Sequence, residues 1–167
     1  MASHKMALHK LYTIGYEGAS VEDLVSALQA AGARRLIDVR YSPYSQRDAF
    51  SRETLGPAIE AHGIDYAHIR ELGNPPAGRE AARLGHRAAY REIFTGHLNA
   101  PDGLAGLARA LELALAQPAC LMCLERAARN CHRGMVAERL AAMGGFEVEH
   151  LATSRKSSHP GQAAFDF

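Results

Sequence analysis

Five short runs of apolar and β-branched residues alternate with stretches of helical period along this 167-residue chain, and that alternation limits the folds open to it. The first run, Leu11-Tyr-Thr-Ile14, ends at Gly15. Val21, Leu24, Val25 and Leu28 then recur at the spacing of one helix face, with Ser20 as N-cap, Asp23 in the first turn and Gly32 at the stop. Residues 35–39, 64–69, 118–124 and 146–151 supply the other four runs. Further helices are predicted over residues 52–62, 79–96, 102–117 and 131–143, with Gly85 weakening the second of these. Such alternation predicts an α/β protein: a single three-layer domain with a mostly parallel central sheet of about five strands and helices on both faces, Rossmann-like in arrangement. The domain is expected over residues 11–152, after a flexible N-terminus (1–10) and before a loose C-terminal tail (153–167).

Composition narrows the function classes. With 47% hydrophobic and 22% charged residues the chain reads as an ordinary soluble globular protein. No apolar run approaches the roughly 20 residues that span a bilayer, and the N-terminus lacks a signal-peptide core. Three cysteines, an odd number, argue against a disulfide framework and for a reducing cytoplasm. A net charge of +1 argues against a general polyanion binder. Lysine occurs only at positions 5, 10 and 156, so the basic residues are otherwise arginine. A GC-rich coding sequence accounts for arginine and alanine together, which leaves each arginine to be judged by position.

In a parallel α/β sheet the functional crevice lies at the C-terminal ends of the strands. The residues expected there are Gly15-Tyr16-Glu17-Gly18, Asp38-Val-Arg40-Tyr-Ser42-Pro43, Arg70-Glu71-Leu-Gly73-Asn74 and Cys123-Leu-Glu125, with the helix start Asn130-Cys131-His132-Arg133 facing the same edge. Most of the unusual polar residues therefore collect in one place. Cys120 and Cys123 form a Cys-x-x-Cys pair, but three residues along a strand point to opposite faces, which assigns Cys120 to the core. A helix N-terminus favours a thiolate at Cys131 and attracts anions. Arg133 beside His132 in a first turn is unfavourable for the helix dipole unless an anion or thiolate sits among them. Cys123, Cys131 and His132 make a partial zinc set without an evident fourth ligand. Asp38 and Arg40 read equally as an ion pair ordering the loop or as functional groups, and Tyr16 as a ligand-stacking or rim aromatic. The spacing Cys123-x5-Arg129 matches a cysteine-phosphatase loop only as a bare pattern, lacking its glycine and its Ser or Thr after the arginine.

Read in order, Tyr12-Thr-Ile-Gly-Tyr16, Leu36-Ile-Asp-Val-Arg40 with Ser42-Pro43, Phe50, Gly63-Ile-x-Tyr66, Leu72-Gly73, Cys123-x-Glu125 and Cys131-His132-Arg133 resemble the DUF488 family, a domain of unknown function, over residues 11–151. The Cys-x-Glu and Cys-His-Arg pieces are its most specific part. The resemblance places the family's marked positions on Gly15, Asp38, Arg40, Pro43, Gly73, Cys123, Glu125, Cys131, His132 and Arg133. Asn74 stands where a second glycine is common, and Tyr16 where histidine is frequent. A small α/β domain with a shared pocket is implied, and no reaction.

The leading expectation is an enzyme that binds a small anionic substrate, phosphate-bearing and nucleotide-like or a nucleic acid end, at this edge. Cys123 or Cys131 is the expected nucleophile, with Glu125 or His132 as acid/base. Gly15, Tyr16, Asp38, Arg40, Ser42, Gly73 and Arg133 are the expected substrate-binding residues. No cofactor is predicted. The rival readings are a ligand- or metal-binding module (zinc or haem) without turnover, a rhodanese-like sulfurtransferase, and a purely structural turn with Arg133 paired to Asp38 and His132 capping carbonyls.

Overall fold

The computed structural model describes residues 9–153. Its strands are β1 (Lys10–Gly15), β2 (Arg35–Asp38), β3 (Asp65–His68), β4 (Ala119–Cys123) and β5 (Glu147–His150). Its helices are α1 (Val21–Ala31), α2 (Arg52–Glu60), α3 (Pro76–Arg83), α4 (Arg87–Asn99), α5 (Pro101–Ala116) and α6 (His132–Gly144). Every strand pairing is parallel, in the order β3-β2-β4-β1-β5. The three-layer α/β expectation therefore holds, with the sheet parallel throughout. Strand β1 begins at Lys10, one residue earlier than expected, because Glu147 N donates to the His9 carbonyl beside it. Residues 1–8, and the tail beyond Thr153, lie outside the described residues.

Strand parity sorts the core into two layers. Tyr12, Ile14, Leu36, Cys120 and Met122 face Leu24, Leu28, Leu55 and Ile59 of α1 and α2. Leu11, Ile37, Leu121 and Cys123 face Phe94, Leu107, Ala110, Val136 and Leu140 of α4, α5 and α6. The Ser20 hydroxyl accepts from Asp23 N and the Asp23 carboxylate accepts from Ser20 N, a capping box that starts α1 where the spacing predicts. The helix expected over 79–96 divides instead into α3 and α4 around Leu84-Gly85-His86. The loop after β2 carries a 3-10 turn, Asp48–Phe50, that buries the Phe50 ring.

The chain order explains the two layers. From β1 to β2 to β3 the chain steps towards one edge, and right-handed crossovers place α1 and α2 on one face. The step from β3 back to β4, and then from β4 to β5, runs the other way and puts α5 and α6 on the opposite face. Strand β4 lies between β1 and β2, yet its outgoing chain leaves to the face opposite theirs. A crevice must open above the end of β4. Cys123 is the last residue of that strand.

Candidate functional site

A cleft of about 450 Å³ opens at that point, lined among others by Tyr16, Arg40, Ser42, Cys123, Glu125, Cys131 and His132. Seven of the eleven residues expected at the site thus share one cavity, and the other four support or flank it. The loop after β4 folds through a 3-10 turn, Ala128–Asn130, and returns Cys131 as the N-cap of α6. Its return brings Cys131 Sγ onto Cys123 Sγ, and the two are joined as a disulfide. The odd cysteine count led to the opposite expectation. The count is satisfied by leaving Cys120 over: that thiol is fully buried on the other face, and burial raises its pKa.

His132 is held at both ring nitrogens. Nε2 lies 2.6 Å from the Val39 carbonyl, an acceptor only, so Nε2 carries the proton. Nδ1 is then the unprotonated nitrogen, 3.6 Å from Cys131 Sγ. Burial lowers the His132 pKa to about 4, so the ring is neutral at neutral pH. Phe94 meets the imidazole edge-on at 5.5 Å and fixes its plane. Glu125 is half-buried, and burial together with the nearby Glu17 pushes its carboxyl up to about 7.

Arg133 has no exposed surface. Its Nε donates to Thr13 Oγ1 (3.2 Å) and its Nη2 to the Arg126 carbonyl (3.1 Å), while Nη1 donates to Cys123 Sγ (3.1 Å) and to the Glu125 carbonyl. Burial lowers its pKa to about 10. The guanidinium thus ties the end of β4 and its loop to the first turn of α6, rather than lying open for an anion. Among the described residues it pairs with no carboxylate, and Asp38 is engaged by Arg40. His132 does bond a carbonyl, as the structural reading supposed.

Asp38 and Arg40 form a closed unit beneath the cleft. Arg40 Nε donates to Asp38 Oδ1 (2.9 Å) and Nη2 to Oδ2 (2.7 Å) in a bidentate pair that is nearly all buried. Arg40 Nη1 also donates to the Phe50 carbonyl (2.8 Å) and to Tyr16 Oη (3.2 Å), and Tyr66 Oη donates to Asp38 Oδ2. Burial opposes the Arg40 charge, but Asp38 outweighs it and holds the guanidinium above the ordinary arginine range. Tyr16 is stacked on Phe50 with ring centroids 4.5 Å apart and is 2% exposed, so its ring face is taken. Of the two readings of Asp38 and Arg40, the geometry carries the ion pair that orders the loop.

Gly15 and Gly73 act through close approach. A Cβ on Gly15 would stand 1.9 Å from the Glu125 carbonyl oxygen, and one on Gly73 would stand 2.2 Å from Tyr41 Cα. Each glycine lets two crevice loops touch. Ser42 is exposed on the cleft rim.

Arginines that sequence position did not single out also line the cavities. Arg79, in the first half of α3, lines the cleft with its guanidinium 4.9 Å from the Tyr41 ring centre, and its buried Nε has no hydrogen-bond partner among the described residues. Asn74 Oδ1, in the same cleft lining, is likewise buried without a partner among the described residues. A second cleft of about 740 Å³ lies across the β4–α6 loop, lined by Gly15, Arg91, Arg126, Arg129 and His150, with Cys131 facing both cavities. Arg79, Arg91 and Arg129 sit on helices or in a turn, where no strand-end rule marks them.

Among the described residues no helix is long and apolar enough to cross a membrane. Nor is any group of three or more His, Cys, Asp or Glu residues placed there to hold a metal ion. Neither the curated proteins nor the solved structures include a match to this chain. The family model described as "Domain of unknown function DUF488" matches residues 20–140, a span from the N-cap of α1 to the body of α6 that holds the cleft's cysteines, histidine and Asp38–Arg40 pair. The chain belongs to the DUF488 family.

Proposed function

We propose that this protein is a cysteine-dependent enzyme that acts, in its reduced form, on a small anionic substrate in the cleft above β4. One observation carries the reading: the unprotonated Nδ1 of His132 faces Cys131 Sγ while Nε2 is locked on the Val39 carbonyl. A nucleophile, a base and a group orienting that base are the parts needed to activate a thiol. Cys131 is the nucleophile, His132 takes its proton, and Glu125, with a pKa near neutrality, is the acid that serves the leaving group. The anion is received by Arg79, which lines the same cleft as Cys131, since Arg40 and Arg133 are engaged within the protein, while Arg91 and Arg129 add positive charge in the second cavity that Cys131 faces. Phosphate-bearing, nucleotide-like compounds remain the class to screen first, because arginine forks match phosphate and the exposed Tyr44 ring offers a stacking face on the cleft.

The test is iodoacetamide alkylation of the reduced protein, followed by a turnover screen over phosphorylated small molecules. Cys131 is expected to react first, about 10²-fold more slowly in His132→Asn, and any turnover found is expected to vanish in Cys131→Ser. A Cys131 that alkylates no faster than a free thiol, or turnover that survives Cys131→Ser, overturns the reading.

A further inference from the structure

Two thiols serve this cleft, and each has a polar partner of its own. Cys131 sits at the start of α6 with His132 Nδ1 at its sulfur, and it faces both cavities. Cys123 sits deeper, at the end of β4, with the buried Arg133 Nη1 3.1 Å from its sulfur. A nucleophile assisted by a base needs no second sulfur within bonding reach, yet the loop after β4 delivers one. A thiol held beside a guanidinium, one bond away from the nucleophile, is the arrangement of a resolving cysteine.

We propose that Cys123 and Cys131 work as a dithiol–disulfide couple whose electrophile is a low-molecular-weight disulfide bearing carboxylates, with Cys131 attacking and Cys123 resolving. This rests on the reading of Cys131 as the nucleophile and names its substrate class. In the first step the Cys131 proton passes to His132 Nδ1 and the thiolate attacks one sulfur of the small disulfide. The disulfide bond breaks, a mixed disulfide forms on Cys131, the departing thiolate takes the Glu125 proton, and His132 passes its proton on to restore that carboxyl. In the second step Cys123, its thiolate set against Arg133 and its proton released to solvent, attacks Cys131 Sγ. The mixed disulfide breaks, the Cys123–Cys131 bond forms, and a second thiolate leaves and is protonated by solvent. The protein gives up two electrons and two protons, and the small disulfide becomes two thiols. Arg79, Arg91 and Arg129 supply the cationic rim that favours carboxylates on the small molecule.

Glutathione disulfide is the probe. Reduced wild-type protein is mixed with it, and intact mass and released glutathione are followed together. The expected result is two glutathiones released per chain with the Cys123–Cys131 disulfide re-formed. Cys123→Ser, and Cys123→Ala as a second variant in case one folds poorly, should stop after one release with a single glutathionyl group on Cys131. A wild-type protein that accumulates the adduct without resolving it overturns the couple. So does a Cys131→Ser protein that takes the adduct on Cys123 at the wild-type rate. If Cys131 alkylates with iodoacetamide in the Cys123 variants but never exchanges with glutathione disulfide, this inference falls while the cysteine enzyme stands. If Cys131 does neither, both fall.

Discussion

Arg133 Nη1 lies 3.1 Å from Cys123 Sγ, and among the described residues Arg133 forms no ion pair with a carboxylate. A fully buried guanidinium is thus held by a hydroxyl, two backbone carbonyls and a sulfur. Reduction of the disulfide makes a Cys123 thiolate the direct counter-charge for that cation. Arg133→Met should leave the carbonyls of Glu125 and Arg126 without their donor and cost about 2–4 kcal/mol of stability. In the same variant Cys123 in the reduced protein should alkylate more slowly, because its thiolate loses the neighbouring cation. Urea unfolding reads the first effect, and the rate of alkylation in a Cys131→Ser background reads the second.

The Asp38–Arg40 pair should behave as one unit. Asp38→Asn leaves a buried guanidinium without its carboxylate, and Arg40→Met leaves a buried carboxylate with only Tyr66 and the Arg40 backbone N–H to bond it. Each single change should cost about 3–5 kcal/mol, because breaking a buried pair strands a charge. The double variant should lose clearly less than the sum, by about 1–3 kcal/mol, in a urea-denaturation cycle. Additive losses would mean the two residues act independently.

Legibility divided along a physical line. The strands, the helices and their capping followed from local period and turn chemistry, as at Ser20 and Asp23. The crevice followed from chain order, since a parallel sheet forces strand-end residues to one edge. What local pattern does not carry is which donor meets which acceptor. Arg40 looks like an anion ligand in sequence because it follows a strand end, and Arg133 because it stands in the first turn of a helix. Their guanidinium groups turn inward, one onto the buried Asp38 carboxylate and the other onto the carbonyls of residues 125 and 126. The Cys123–Cys131 pairing depends on the path of residues 124–130, which have no periodicity to read. Parity did separate Cys120 from Cys123, and the two lie in opposite core layers.

Stability should carry two opposed pH signatures from the cleft. His132 is depressed from 6.5 to about 4, so between those values the unfolded chain takes up a proton that the folded protein refuses. Its contribution is complete above about pH 6.5 and is lost as pH falls towards 4. Glu125 is raised from 4.5 to about 7, so the folded protein keeps a proton that the unfolded chain has released. Its contribution is complete below about pH 4.5 and is lost as pH rises through 7. Urea midpoints measured across this range should therefore fall less on acidification in His132→Gln, and less on alkalinisation in Glu125→Gln, than in the wild type.

Gly15→Ala tests whether loop contact shapes the cleft. The added methyl would meet the Glu125 carbonyl oxygen at 1.9 Å, against backbone that Arg133 already holds. The variant should lose about 1–3 kcal/mol by thermal or urea unfolding. It should also change the alkylation rates of both cleft thiols in the reduced protein, because the end of β4 must move away from β1. Unchanged thiol reactivity with a lowered melting temperature would confine the role of Gly15 to packing.

Of the five strands β1 emerges first from the ribosome, but its two neighbours in the sheet are β4 and β5, the last two of the five. The nascent domain therefore carries an unpaired interior strand until β4 is made, and a β2–β3 unit is the most sheet that an early fragment can assemble. Neither cysteine of the cleft has been translated at that stage. The Cys123–Cys131 pair is a late product of biogenesis, absent from every truncated chain that stops short of α6.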